Sequence, residues 1–377
     1  MRKIILSALA LVIGAIGFAQ NTSAVIQSGP SQYANVDQIG ANTSLVIQSN
    51  SNNDAFATQN GTSSGIQIQE GTNGLARLTQ TGLTNESFQY QTGESNIVRA
   101  SMIGDDNTTV QIQSGDYNTA NINIGEFGSD RNTAWQVQEG LNNMLNSRLL
   151  GNDNTSGQMQ GGENNIANVY ARGINNAGYQ IQGGQDNRAY IRIGYPNGGV
   201  FDNVAWQVQF GGTGAMSVNN IARIDQLGDR NTAGQIQGGD NIDDLRNNLA
   251  TIIQTGDDNT AYQFQGGNDV PGATASNNTV FSRQNGNDNL SVQVQDGINN
   301  IARVVQDGNF GTGVQVQDGG WNEMYLNQVE GDYNTSLQVQ LIGTTDSLSR
   351  VTQGGPGGNT AFTYQAGSAN TALVSQF

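Results

Sequence analysis

The sequence has no cysteine, no histidine, a single lysine (Lys3) and only four prolines in 377 residues. Each absence removes a class of chemistry. Without Cys or His there is no Ser-His-Asp triad, no thiolate nucleophile, no zinc site of the usual nitrogen and sulfur kind, and no structural disulfide. Charged residues make up 12% and hydrophobic ones 35%, too few for a conventional apolar core in a chain this long. Cations are scarce, and the formal net charge is −16. That balance argues against nucleic acid and against anionic lipid as partners, because neutralising phosphates takes clustered cations. What the chain has instead is 51 glycines, with Asn and Gln recurring at near-fixed distances.

Residues 1–19 read as a cleaved secretory signal: Arg2 and Lys3 precede an apolar run from Ile4 to Phe18, with small residues Gly17 and Ala19 where a signal peptidase reads. The run is shorter than the roughly 20 residues that span a bilayer, and the sequence offers no other membrane-spanning candidate. Removal of this segment leaves 13 arginines against 31 acids, a net charge of −18.

From Asn21 to Phe377 one organisation prevails, so residues 20–377 read as a single repeat domain. Aligned on Asn300, the stretch NIARVVQDG defines a unit with Asn at its first position, a small residue at the third, Gln at the seventh and Gly at the ninth. About 30 such units follow one another at intervals of about 11 residues. Two types alternate. One carries two glutamines: Asn132, Gln136, Gln138; Asn231, Gln235, Gln237; Asn259, Gln263, Gln265. The other has an aliphatic residue in place of the first Gln, as in Asn300, Val304, Gln306. The pair of units, about 22 residues, is therefore the true period.

Within a unit the signal has period two, as in a strand whose side chains alternate between faces. Turn residues after each Gly close it, as in Gly228-Asp229-Arg230-Asn231. The expected fold is all-β: a β-solenoid of about 15 stacked strand-turn-strand layers. Every Arg inside a strand sits at an even position, such as Arg77, Arg223, Arg303 and Arg350 at the fourth, which places the odd positions inside. Buried amides must be hydrogen-bonded. Stacked copies of one layer meet that demand by bonding Asn to Asn and Gln to Gln as ladders about 4.8 Å apart. On the opposite face the two-Gln units leave an outward apolar stripe, including Trp135, Val137, Trp206, Val208, Tyr262, Phe264, Val314 and Val316.

The pattern Gln-x-Gly-x-x-Asn-x-Ala-x-x-x-Gln, present from Gln226 to Gln237 and again from Gln254 to Gln265, resembles the curlin repeat of curli fibre subunits over essentially the whole mature chain. The resemblance implies a functional amyloid: a secreted bacterial structural subunit that polymerises end to end into an extracellular fibre on the cell surface. Such a fibre builds biofilm matrix and mediates adhesion. The resemblance further implies a secretion pore and a nucleating partner. No enzyme activity, cofactor or metal is expected.

Other readings remain. Thr119, Thr133, Thr155, Thr232, Thr260, Thr335 and Thr360 recur beside the unit Asn as one outward column, the kind of face an ice-binding β-solenoid uses. Glycine-rich calcium-binding nonapeptides are absent, and the Asp pairs at 105–106 and 257–258 read as solvated turns. A monomeric cell-surface adhesin built on the same solenoid is the closer rival. The near-regular unit Asn370–Phe377, with no visible cap at either end, favours a polymer.

Overall fold

The computed structural model describes residues 21–125, 129–194, 200–210, 217–238, 245–266, 276–329, 331–355 and 358–377. The expected signal segment, Pro196, Pro271, Pro356 and most of the insertions between units lie outside the described residues. The chain forms two compact units, one up to Met159 and one from Gln160 to Phe377. The repeat itself does not mark that division.

Each unit is a parallel β-solenoid without helix among the described residues, and the two hold about 14 turns between them. The alternation of unit types becomes two sheets. Two-Gln units stack on one another in what we call the paired-Gln sheet, and the others stack in the mixed sheet. In the second unit Thr260–Gly266 lies between Thr232–Gly238 and Leu290–Asp296, all two-Gln strands. Leu249–Thr255 lies between Ile221–Leu227 and Thr279–Asn285, all mixed strands. In the first unit Thr108–Gln113 pairs with Thr133–Gln138, and Ile97–Ile103 with Thr119–Ile124. The long strands Asp54–Gln69 and Leu75–Gln91 run through a corner from the mixed to the paired-Gln sheet, with a register shift between Thr62 and Ser64.

Register follows the repeat residue for residue, so Ala261 faces Ser291, Gln263 faces Gln293 and Gln265 faces Gln295. The reason is period two: a slip of one residue would turn every buried amide to solvent. Strands show the expected alternation, with odd positions buried and even positions partly or fully exposed, as in Leu290–Asp296. The interior is thin. Small residues such as Ala222, Ala233, Ala250 and Ala261 are fully buried and let the two sheets approach.

The turns are set by two residues with positive φ. Gly256 has φ +103°, and a Cβ there would lie 2.2 Å from the carbonyl oxygen of Gly286 one coil on. Glycine is thus required twice over, by dihedral and by stacking distance. Two residues later, immediately before the unit's first position, sits a residue in the left-handed region. It is mostly Asn or Asp, but also Arg230 (54°), Phe310 (56°), Trp321 (58°) and Tyr333 (61°).

Candidate functional surfaces

The glutamines form the ladders. In the second unit Gln207 Nε2 donates to Gln235 Oε1 at 2.8 Å, Gln235 to Gln263 at 2.8 Å and Gln263 to Gln293 at 2.9 Å. A second column runs through Gln209, Gln237, Gln265 and Gln295, and a third, on the mixed sheet, through Gln284, Gln306 and Gln328. In the first unit Gln111 donates to Gln136, and Gln113 to Gln138. The second amide proton ties the sheets together, because Gln235 Nε2 also donates to the Arg223 carbonyl and Gln263 Nε2 to that of Thr251. Each of these Gln-to-Gln bonds is donated toward the next coil along the chain.

Asparagine behaves differently from the like-to-like ladder expected of it. Asn259 Oδ1 accepts from the backbone N–H of Asn289 one coil on, and Asn231 Oδ1 from that of Asn259. The Nδ2 group of Asn259 donates to the Gly286 carbonyl at 2.7 Å, and Asn300 Nδ2 to that of Gly319. Some direct amide pairs do occur, such as Asn259 Nδ2 to Asn231 Oδ1 at 3.1 Å and Asn132 Nδ2 to Asn107 Oδ1 at 3.1 Å. Asn is one methylene shorter than Gln, so its amide stays within reach of the turn backbone and satisfies groups there that no strand partner reaches.

The ladders also have ends that the repeat consensus hides. On the mixed sheet of the first unit the seventh position passes from Gln80 to Met102, Ile124 and Leu149, and in the second unit Ile193 precedes Gln226. All four apolar side chains are fully buried. Where a ladder starts beneath an aliphatic residue, its first acceptor is orphaned. Gln226 Oε1 lies under Ile193 and Gln67 Oε1 beside Val46, and both lack a hydrogen-bond partner. The signal was present in the sequence as Met, Ile and Leu at a Gln position.

The apolar residues of the two-Gln units lie on the paired-Gln sheet. Tyr262 and Phe264 are exposed, while Trp135, Val137, Trp206, Val208, Val314 and Val316 are part-exposed. Trp206 lies over Gly234 and Trp135 over Gly157, where a Cβ would come within 2.4 Å of the indole. Glycine at these fourth positions therefore lets the rings lie flat. The mixed sheet carries arginines at its outward positions, among them Arg77, Arg223, Arg283, Arg303 and Arg350. The threonine column needs correction. Thr119 belongs to the mixed sheet and Thr133 and Thr155 to the paired-Gln sheet, because successive units lie on opposite sheets. In the second unit the column through Thr232, Thr260, Thr335 and Thr360 is preceded by Val204 and interrupted by Leu290.

The turn acids are used structurally. Asp105 Oδ1 accepts from Leu83 N–H and Asp257 Oδ1 from Asp229 N–H. Arg131 pairs with Asp153 at 2.8 Å and Arg230 with Asp258 at 2.7 Å, each across one coil. These guanidinium hydrogen bonds hold the carboxyls of Asp153 and Asp258 below their ordinary range. Asp318 moves the other way, raised by burial. Among the described residues no group of three or more acids is placed to hold a metal ion.

Geometry thus defines a parallel β-solenoid whose interior is ordered by amides. No protein-family model matches the sequence, and no curated protein is similar to it.

Proposed function

We propose that this chain is a secreted structural subunit of an extracellular, curli-like fibre, assembled end to end through its stacked layers. The observation that carries the proposal is the polarity of the ladders. In the last coil Gln365 and Gln376 direct Nε2 protons to backbone carbonyls and, among the described residues, find no further Gln acceptor, whereas their partners Gln340 and Gln353 donate to them. In the first described coil Gln27 and Gln38 donate onward to Gln48 and Gln59, and their own Oε1 atoms accept from no Gln among the described residues. One edge offers amide donors and the other amide acceptors. The Asn columns are complementary in the opposite sense, since Asn42 N–H donates to Asn21 Oδ1.

Among the described residues, Thr371–Gln376 pairs only with Leu348–Gly354, and Thr22–Ser28 only with Thr43–Ser49. A contact between such unlike edges extends as a filament and does not close. Secretion, a role in biofilm matrix and adhesion, and dependence on a secretion pore and nucleator belong to the same reading. So does lateral pairing of fibres through the apolar face of the paired-Gln sheet, because uncovered patches of that kind are rare on monomers.

Electron microscopy of the purified mature chain left to stand, with thioflavin fluorescence beside it, tests the reading. Unbranched fibres with a thioflavin rise are expected. A folded β-rich chain that stays monomeric at high concentration would reject the fibre and favour an adhesin stalk. Lys at Val137, Val208, Val294 and Val316 should give single fibres that no longer bundle.

A further inference from the structure

The mixed sheet of the second unit holds an arrangement that fibre formation does not use. At the fourth position of successive strands stand Phe281, Arg303, Tyr325 and Arg350, in direct register. Each guanidinium lies over the ring one coil before it, Arg303 at 5.4 Å from the Phe281 centroid and Arg350 at 5.3 Å from that of Tyr325. The device recurs in the first unit, where Arg77 lies 5.3 Å over Phe56. Beside the second-unit row runs a groove of about 540 Å³ whose lining includes Arg283, Arg303, Tyr325, Arg350 and the acid Asp307.

Two acids are near. Asp307 is held by Arg283 at 2.9 Å, and Glu323 accepts a hydrogen bond from the Tyr325 hydroxyl at 3.1 Å. Arg303 and Arg350 are exposed, and among the described residues neither has a carboxylate partner. Stacking on a ring fixes a guanidinium in place and leaves its N–H edge free, the geometry that meets a carboxylate with two parallel hydrogen bonds.

We infer that this row binds a linear acidic polysaccharide, with Arg303 and Arg350 each taking a carboxylate and the intervening Tyr325 strand spanning one uncharged residue of the polymer. The spacing selects the polymer class. The two arginines are two coils apart, roughly 10 Å at the ~4.8 Å spacing of neighbouring strands. That suits a chain with one charge per disaccharide. Duplex DNA carries a charge every ~1.7 Å of axis, and the net −18 of the mature protein repels so dense a polyanion while two fixed guanidiniums meet few of its phosphates. Stacking of identical chains would repeat the row and add avidity. The inference does not depend on assembly, since the whole row lies within one chain.

Binding of the purified mature chain to fluorescently labelled sodium hyaluronate, followed by anisotropy, is the test. The double variant Arg303→Gln/Arg350→Gln should lose tenfold or more in affinity. Arg131→Gln/Arg230→Gln, which removes the same charge from turns where both arginines are already paired, should retain wild-type affinity. Circular dichroism establishes that all three chains are folded. The inference is overturned if the first variant binds as well as wild type, if the control loses as much, if hyaluronate is not bound, or if single-stranded DNA binds more tightly than hyaluronate.

Discussion

Replacing a ladder glutamine by leucine should cost an amount that depends on where in its ladder the residue stands. Gln235 is fully buried in the middle of a column. Gln235→Leu removes the acceptor of Gln207 Nε2, which keeps its bond to the Tyr190 carbonyl, and the Gln that donates to Gln263 Oε1. The lost bond from Gln207 and the lost bond of Gln235 to the Arg223 carbonyl, about 0.5–1.5 kcal/mol each, and one orphaned acceptor of about 1–3 kcal/mol sum to about 2–6 kcal/mol. Gln226 is almost as buried but heads its column. Gln226→Leu loses the bond to the Val204 carbonyl and orphans Gln254 Oε1, yet removes the already orphaned Gln226 Oε1, so the two acceptor terms offset and about 1 kcal/mol remains for the lost bond. Urea denaturation of both variants, followed by far-ultraviolet circular dichroism, separates the cases. Equal losses for the two substitutions would refute the idea that satisfaction of the amide column, and not simply Gln at that place, stabilises the fold.

Gly256→Ala should destabilise its coil by more than about 3 kcal/mol, because the new Cβ meets the Gly286 carbonyl at 2.2 Å while φ is held at +103°; hydrogen exchange should show faster opening of the flanking strands, and unchanged protection would contradict the stacking argument. Trp321→Asn should raise the melting temperature, since Trp321 is exposed and held at φ 58°, where Asn is several-fold enriched and Trp is strained by about 1–2 kcal/mol. The folded-state pKa of Asp258 is depressed by Arg230, so the pair's contribution is present above the unfolded carboxylate value near 3.9 and is lost as pH falls through the lower folded value. Carbon-13 titration should place Asp258 below that value and Arg230→Gln should return it there; an unchanged titration would show that the pair does not form.

Much of this architecture is legible in the sequence because the repeat, the strand period and the register are one property. A residue assigned to the seventh position of a two-Gln unit, such as Gln237 or Gln265, has its neighbours fixed by the unit before and after it. The faces followed from charge alone, since a guanidinium at Arg303 or Arg350 cannot be buried without a partner. What the consensus concealed lies at its exceptions. Met102, Ile124 and Leu149 interrupt a ladder that averaging over units makes continuous. The left-handed residue before each unit's first position was hidden because Phe310, Trp321 and Tyr333 are poor markers of positive φ, although Asn and Asp at most other copies point to it. The Asn columns differ from the Gln columns by one methylene, a distinction that spacing does not express. The pairing of Arg with the ring one coil before it needs the register of two distant stretches, Phe281 with Arg303 and Tyr325 with Arg350, and no local motif contains both.

Seeded growth measures end-to-end assembly most directly. Monomer added to sheared fibres should elongate them without a lag, whereas the same monomer alone should show one, because the first layer is ordered without a template. Pro at Ala372 and Leu373 removes two N–H donors from the terminal strand, and such a chain should fail to propagate growth at that edge. Elongation of wild-type seeds by this variant at the wild-type rate and to the wild-type extent would contradict joining through these strand edges.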